Sequence, residues 1–421
     1  MSQMQPVRGT HDLFGSDILR YRHILNAAAS LSRSYGFEEI KTPIFEFTNV
    51  FSRTLGDASD IVSKEMYTFS DKGGEILSLR PEGTASIVRS FISEGLAQHL
   101  PLKFFYEGPM FRYERPQKGR YRQFYQIGVE LLGVDSTDAD IEVISMAEHL
   151  FRKLGVSRKV TLEINSIGDH ESRNNYKQAL VEYYKKHLEN LSDDSKVRLM
   201  TNPLRILDSK DKRDIAINHD APKLADYLNE ASKQKFEQIK KTLADLGILF
   251  KVNPFLVRGL DYYCHLVFEY RTTALGSQDA VLSGGRYDGL TEIMGGPKAP
   301  AVGWAAGVER LSLLLDADPK KLRPISLIPL GEAAEMACRN LAHDLRGKGF
   351  FIDMSYSGNM SNRMKKATKQ NAIAALIIGE SELQNKLYTL KLMDTGVQMT
   401  IKETELSERL TTIYGDSSTK S

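Results

Sequence analysis

FFYEGPMFRYERPQKGRYRQFYQIGVE, Phe104–Glu130, is the stretch whose reading decides the fold. It spells two strands joined by a basic loop. Side chains two apart on a strand point the same way, so Phe104, Tyr106, Gly108, Met110 and Arg112 share one face of the first strand. Phe124, Gln126, Gly128 and Glu130 share the matching face of the second. One face of a hairpin thus presents a cation, an amide and a carboxylate among aromatic walls. The loop carries Arg115, Lys118, Arg120 and Arg122, a cluster suited either to a polyanion or simply to water.

The whole chain sets bounds around this hairpin. At 421 residues it is too long for one ordinary core and predicts two or three domains. With 41% hydrophobic and 26% charged residues, the composition is that of a globular protein. A net charge of only +2 means that nucleic-acid contacts must come from local patches. The first residues lack a long apolar region, and the longest apolar run, Ala372–Ile378, is far short of a membrane span; no membrane association and a cytoplasmic location are expected. Cys264 and Cys338 stand alone, without CxxC spacing, and are expected to be reduced thiols and not a structural bridge or a zinc site. No GxxxxGK[ST] occurs, and GGRYDG (284–289) has the wrong spacing for a dinucleotide fingerprint. Any nucleotide site must therefore use another scaffold.

Along the chain, Ile18, Tyr21, Leu25, Ala28 and Leu31 recur at helical spacing over 17–34. An extended segment, 37–47, follows with Pro43 inside it, which places it at a sheet edge or bulge. Residues 67–80 read as a hairpin around Asp-Lys-Gly-Gly. Glu82 and Thr84 then stand where strand hands over to helix, a carboxylate and a hydroxyl placed either to cap that helix or to receive a ligand ammonium. A helix over 139–154 and a strand over 160–168 come next. From 169 to 252 the texture changes to long charged helices, predicting a helical insertion within one sheet domain. Residues 255–270 are expected to return to the sheet. There Arg258 sits in an apolar segment followed by Asp261, Tyr262 and Tyr263, a concentration of polar groups that points to a pocket. Gly284 and Gly285 are expected to let backbone approach a ligand. Arg310 opens an apolar helix. Asp316–Pro324 reads as a linker, and strand–helix alternation beyond it predicts a parallel-rich α/β domain. That domain carries Arg363, Lys365, Lys366 and Lys369, either a solvated face or a phosphate-contact surface.

The hairpin resembles motif 2 of the class II aminoacyl-tRNA synthetases, and the 17–47 region resembles their motif 1. Leu256–Tyr263 (LVRGLDYY) and Ser283–Leu290 (SGGRYDGL) resemble the two signature segments of histidyl-tRNA synthetases, and Ala301–Leu311 resembles motif 3. The resemblance implies an α/β protein with an α+β catalytic core: a mixed, mainly antiparallel sheet over 1–168 and 253–320, a helical insertion over 169–252, and an anticodon-binding α/β domain over 325–421. It implies ATP-dependent formation of histidyl-adenylate and transfer to the 3′ end of histidine tRNA by a homodimer.

The same resemblance implies roles for residues. Arg112 would hold the α-phosphate of ATP, with Glu114 beside the nucleotide, and Arg310 the γ-phosphate. Arg258 would bridge the histidine carboxylate and the α-phosphate. Glu82, Gly83, Thr84 and Gln126 would surround the ammonium group, and Glu130 and Tyr263 would pair the imidazole nitrogens between Tyr262 and Tyr287. Arg115, Gln117 and Arg120 would meet the tRNA acceptor end. Mg2+ would accompany ATP, with no protein ligands assigned. A non-catalytic relative, the regulatory subunit of ATP phosphoribosyltransferase, shares the core, but that alternative predicts loss of the catalytic arginines and of the C-terminal domain. This chain keeps Arg112, Arg258, Arg310 and that domain. Cys264-His265 is a local departure from the family pattern.

Overall fold

The computed structural model describes residues 4–55, 61–258, 260, 262–276 and 279–419, with side chains to Tyr414. Gly259, Asp261 and the first part of the 57–64 loop lie outside the described residues. The chain forms two compact units that divide between Pro319 and Lys320.

In the first unit the strands are β1 (Glu38–Glu39), β2 (Phe45–Phe47), β3 (Thr68–Ser70), β4 (Ile76–Leu79), β5 (Leu102–Phe111), β6 (Gln123–Leu132), β7 (Thr161–Ser166), β8 (Phe250–Val252), β9 (Cys264–Arg271), β10 (Ala280–Arg286) and β11 (Ala301–Gly307). Its helices are α1 (Gly15–Ser34), α2 (Thr48–Leu55), α3 (Thr84–Ser93), α4 (Thr137–Lys153), α5 (His170–Lys186), α6 (Asp193–Thr201), α7 (Lys212–Asn218), α8 (Glu230–Asp245), α9 (Leu290–Ile293) and α10 (Val308–Leu314).

One eight-stranded sheet runs β1-β5-β6-β11-β10-β9-β7-β8. Its outermost pairs are parallel and every pair between them is antiparallel. β5 and β6 pair with Phe104 opposite Glu130, Tyr106 opposite Gly128 and Gly108 opposite Gln126, so the predicted face forms in register. α1 covers the opposite side, burying Tyr21, Ile24, Ala27 and Ala28 with α4's Val143, Ile144, Ala147, Leu150 and Phe151 in one core. The helix stops at Tyr35, after which Gly36 takes φ +73°, open to glycine without strain.

Two expectations need correction here. The 37–47 segment is not one strand: β1 pairs with β5, while β2 pairs with β4 in a separate β2-β4-β3 sheet. Pro43, between them, has no N–H for a ladder, and the chain changes sheets there. Nor does the return to the sheet begin at Phe255. β9 starts at Cys264, because side chains claim the carbonyls before it: Asn165 donates to Leu256 at 3.0 Å and Arg173 donates to Tyr263.

The polar texture of 169–252 has a local cause. Asp169, Ser192, Asp211 and Asn229 each accept a hydrogen bond from a backbone N–H at the start of α5, α6, α7 and α8. α5 buries Tyr176, Leu180 and Tyr184 in the cluster that also holds Tyr262 and Tyr263. α8 buries Phe236, Ile239 and Leu243 in the core beneath α1 and α4, and β8 pairs with β7.

The second unit contains β12 (Ile325–Pro329), β13 (Ile352–Met354), β14 (Ala374–Ile378), β15 (Leu387–Leu392) and β16 (Gln398–Lys402), with α11 (Glu332–Gly347), α12 (Met360–Lys369), α13 (Glu380–Asn385) and α14 (Leu406–Thr419). The order is β13-β12-β14-β15-β16: three parallel strands, then an antiparallel pair that the alternation did not announce. β12 and β14 are buried along their whole length, which suits the apolar run of β14 and of β12 apart from Ser326. The basic cluster on α12 is only partly a surface. Arg363 is 6% exposed, donating to Glu335 at 2.6 Å and to the Pro329 carbonyl, and Lys366 lies 3.3 Å from Asp353.

Candidate active site

A cavity of about 960 Å³ opens on the face of the large sheet that carries the hairpin's polar residues. The two strand ends and the 112–122 loop supply Arg112, Glu114, Arg120, Gln126 and Glu130; the start of α3 supplies Glu82 and Thr84. Arg258, Tyr262 and Tyr263 come from the irregular segment before β9, and Arg310 from the first turn of α10. The fold therefore brings together residues that are up to 228 positions apart, from Glu82 to Arg310.

The cavity has two chemically distinct ends. At one, Thr84 Oγ1 donates to Glu130 Oε1 at 2.6 Å, and the Tyr287 hydroxyl donates to the other oxygen of Glu130. Glu82 accepts from the backbone N–H of Thr84 at 2.8 Å and of Ala85 at 2.7 Å, at the start of α3. Tyr262 and Tyr263 stand 4.6 Å apart between ring centres, with Tyr287 edge-on to both. Gln126 Oε1 is buried without a hydrogen-bond partner among the described residues. The other end is arginine-rich. Arg112 is aimed by its Nε–H, which donates to the Pro81 carbonyl at 2.8 Å, and it lies over the Phe124 ring at 5.3 Å. Arg120 pairs with Glu114 at 2.9 Å. Arg310 donates to the Gly119 carbonyl at 3.3 Å and to that of Ala280. Between the ends, Arg258 pairs with Glu269 and lies 5.4 Å from the Tyr263 ring centre, with its Nε buried and unbonded among the described residues.

Comparison with known proteins gives this geometry a family. The pattern described as histidyl-tRNA synthetase matches residues 9–311, and that of the anticodon binding domain matches residues 325–413. The chain belongs to the histidyl-tRNA synthetase family. A histidine–tRNA ligase of Rhodospirillum rubrum is 53% identical over 97% of this synthetase and 99% of its own length. One from Gluconobacter oxydans is 49% identical over 97% and 99%. The apo histidyl-tRNA synthetase of S. aureus superposes with a TM-score of 0.81 at 36% identity, covering 97% of this chain and 99% of that one. A Bacillus halodurans protein titled as an ATP phosphoribosyltransferase regulatory subunit/histidyl-tRNA synthetase shares the fold, at a TM-score of 0.66 and 22% identity, covering 90% of this chain and 98% of that one.

Burial sets the electrostatics of the synthetase's cavity. It pushes the Glu130 carboxyl up to about 8, against the hydrogen bonds from Thr84 and Tyr287 that favour the anion, and nearby Glu82 adds to the rise. Glu82 is also raised by burial, opposed by the N–H groups of Ala85 and Thr84. Burial opposes the charge on Arg258, but Tyr263 and Glu269 outweigh it and hold its pKa above the ordinary value. Arg310 is lowered by burial and then by Arg120. An anion among these arginines would relieve both effects on Arg310.

Some sequence candidates lie elsewhere. Gly83 and Tyr287 are packed behind the cavity wall: a Cβ at Gly83 would sit 2.2 Å from the Tyr106 ring, and Tyr287 backs Glu130. Arg115 and Gln117 are exposed on the loop outside the cavity, where Gln117 and Arg120 exchange backbone hydrogen bonds at 3.1 and 2.9 Å. Arg122 is not part of a free basic cluster; its guanidinium stacks 3.7 Å from the Tyr113 ring centre and donates to the Glu114 carbonyl. Gly284 and Gly285 serve strand packing instead of ligand approach. A Cβ on Gly284 would lie 2.3 Å from the Gly303 carbonyl oxygen, and one on Gly285 would lie 2.6 Å from that of Leu266.

Glu269, Arg271 and Asp279 are cavity residues that the sequence reading passed over. Arg271 bonds Glu163 at 3.1 Å and Asp279 at 2.8 Å. The signal was present: in FEYR, Glu269 and Arg271 stand two apart on one face of an otherwise apolar strand, and such charges need partners when half-buried.

Proposed function

We propose that this chain activates L-histidine with ATP and transfers it to the 3′ end of histidine tRNA. It is a histidine–tRNA ligase, as its close relatives are, and they match it across nearly its full length. The observation that supports the division of labour is the cavity's polarity, with arginines at one end and buried carboxylate and tyrosines at the other.

Activation is in-line attack of a carboxylate oxygen on the α-phosphorus: the new C–O–P linkage forms as the bond to pyrophosphate breaks. It needs no protein nucleophile, so the rate comes from positioning and charge stabilisation. Arg112 and Arg310 take the α- and γ-phosphates, Glu114 orients Arg112 and Arg120, and Arg258 bridges the amino-acid carboxylate and the α-phosphate. Its pairing with Glu269 holds that guanidinium in place before substrate arrives. Glu82, Thr84 and Gln126 take the ammonium group; the unpaired Gln126 Oε1 supports this. Glu130 and Tyr263 pair the imidazole, between Tyr262 and, behind the wall, Gly83 and Tyr287. An analogue lacking a ring nitrogen would leave a buried group unpaired, which discriminates by about 10⁴ or more.

Of the carboxylates that line the cavity, Glu114, Glu269 and Asp279 are each paired with arginine. That set does not fit a magnesium ion held by the protein, which takes oxygens not committed to other cations. Magnesium belongs to the reaction as part of its nucleotide substrate. In the second step Arg115, Gln117 and Arg120 meet the tRNA acceptor end, supported by the exposure of the first two. Residues 325–421 read the anticodon, and 169–252 forms an insertion between core segments 1–168 and 253–320. A homodimer is supported by β2 and the β3–β4 hairpin, where Phe45, Phe47 and Phe69 share one face and are 54%, 53% and 43% exposed. A cytoplasmic location is supported by the free thiols Cys264 and Cys338 and by the tRNA substrate; no described helix is long and apolar enough to cross a membrane.

ATP–pyrophosphate exchange measured with each of the twenty amino acids tests the assignment. Exchange with histidine alone is expected. Exchange with proline or threonine but not histidine would overturn it, and no exchange at all would favour the regulatory alternative.

A further inference from the structure

Among the described residues, one group combines thiol, imidazole and carboxylate: Cys264, His265 and Asp288, whose ligand atoms lie within 4.8 Å of one another. We propose that these three residues form a binding site for one divalent ion of the zinc type, with the remaining position left to water. Nothing in the adenylation chemistry above uses them.

The residues come from two strand ends that the sheet joins. Cys264 opens β9 and pairs with Arg286 at the end of β10, two residues before Asp288, across a register shift. The Asp288 N–H donates to Cys264 Sγ at 3.3 Å, so thiol and carboxylate already share a corner. Among the described residues, the Asp288 carboxylate accepts from Ala301 N–H at 3.0 Å and from Arg286 at 3.2 Å, both at Oδ1. His265 supplies an independent observation. Its backbone is held at φ +50°, uncommon for a side-chain-bearing residue, by two 2.7 Å hydrogen bonds to Gly168 and Ile167. Its Nδ1 is buried with no hydrogen-bond partner among the described residues. A histidine with an unpartnered ring nitrogen, grouped with a thiol and a carboxylate, is a donor set suited to a cation.

The donor types select the ion. Thiolate plus imidazole favours borderline-soft metals over magnesium or calcium. With bonds of about 2.0–2.3 Å, tetrahedral ligand atoms stand roughly 3.3–3.8 Å apart, so the group closes by about an ångström through side-chain rotation. Nearby cations are partnered, Lys235 with Asp135 at 2.8 Å and Arg286 with Asp140 at 2.7 Å as well as with Asp288 itself at 3.2 Å, so the ion would share that carboxylate with Arg286. All three ligand residues are half-buried, which leaves a path for the ion. Such an ion would fasten the backbone after Tyr263 to that after Tyr287. The site itself stands on these three residues, whatever the cavity binds.

The test is titration of the chelator-treated full chain with Co2+, a spectroscopic stand-in for zinc. One equivalent should give a thiolate-to-cobalt charge-transfer band that zinc displaces. Cys264→Ser should abolish the band, Cys338→Ser should keep it, and His265→Gln should weaken affinity by about tenfold or more. Zinc should also raise the thermal midpoint of the wild type and of Cys338→Ser. Absence of the band in the wild type overturns the proposal, and so does its survival at full strength in either Cys264→Ser or His265→Gln. Should Cys264→Ser fail to fold, the His265→Gln arm decides alone.

Discussion

Glu130 illustrates how one residue's chemistry is decided by what surrounds it. An ordinary glutamate is ionised at neutral pH; this one, buried beside Glu82, titrates up at about 8. Its folded-state value lies above the unfolded value, so the folded chain binds its proton more tightly. The resulting stabilisation is complete below the ordinary glutamate value of 4.5 and is lost as pH rises through about 8. Glu130→Gln removes that dependence: the wild type should lose stability between about pH 5 and 8 more steeply than the variant, as chemical denaturation at several pH values would record. Equal slopes would show that Glu130 is ionised throughout. Arg258 makes the complementary case. Arg258→Ala should reduce ATP–pyrophosphate exchange by about 10² or more. It should also lower the thermal midpoint, because Glu269 is left buried with Arg271 3.9 Å away and a 3.4 Å hydrogen bond from Ser283. Activity within threefold of the wild type would remove Arg258 from the proposed mechanism.

Among the elements, the β5–β6 hairpin was the most legible, since period-two alternation fixes faces once the register is set, and the register matched. The strand packed against β6 was less so. In β11, Gly303 faces Glu130 so closely that a Cβ there would stand 1.9 Å from Glu130 Oε2 and 2.3 Å from the Val129 carbonyl oxygen. Gly303→Ala should therefore cost about 1–3 kcal/mol and displace the carboxylate from Thr84 and Tyr287. A raised histidine KM together with a lowered thermal midpoint is the expected pair of readouts; an unchanged KM would separate this glycine from the site. The 112–122 loop divides in the same way. Arg115→Ala should slow aminoacylation while sparing pyrophosphate exchange, whereas Arg122→Ala, losing its stack on Tyr113, should act through stability. Equal loss in both assays for Arg115→Ala would place that residue with adenylation instead of tRNA. From the sequence the two arginines looked alike, because a charge in a loop carries no mark of whether a ring lies beneath it.

At the scale of the molecule, each unit has its own core: the second buries Ile325, Leu327, Leu376 and Leu390 independently of the first. A fragment ending at Pro319 should keep histidine-dependent pyrophosphate exchange within about tenfold and lose most tRNA charging, while residues 320–421 should fold alone by circular dichroism. Loss of exchange in a folded fragment would tie adenylation to the second unit.

The sequence by itself determined the hairpin and its polar face, most helices, the linker after Leu315 and the family, because these rest on local periodicity and on short ordered motifs. Only the tertiary structure decided the rest. It split 37–47 between two sheets, turned Gly284 and Gly285 to packing, and buried Arg363 and stacked Arg122 where free cations were expected. It also set Glu269 against Arg258 and gathered Cys264, His265 and Asp288. Each of these depends on which distant residue arrives alongside, and burial and charge pairing are properties of that neighbour as much as of the residue itself.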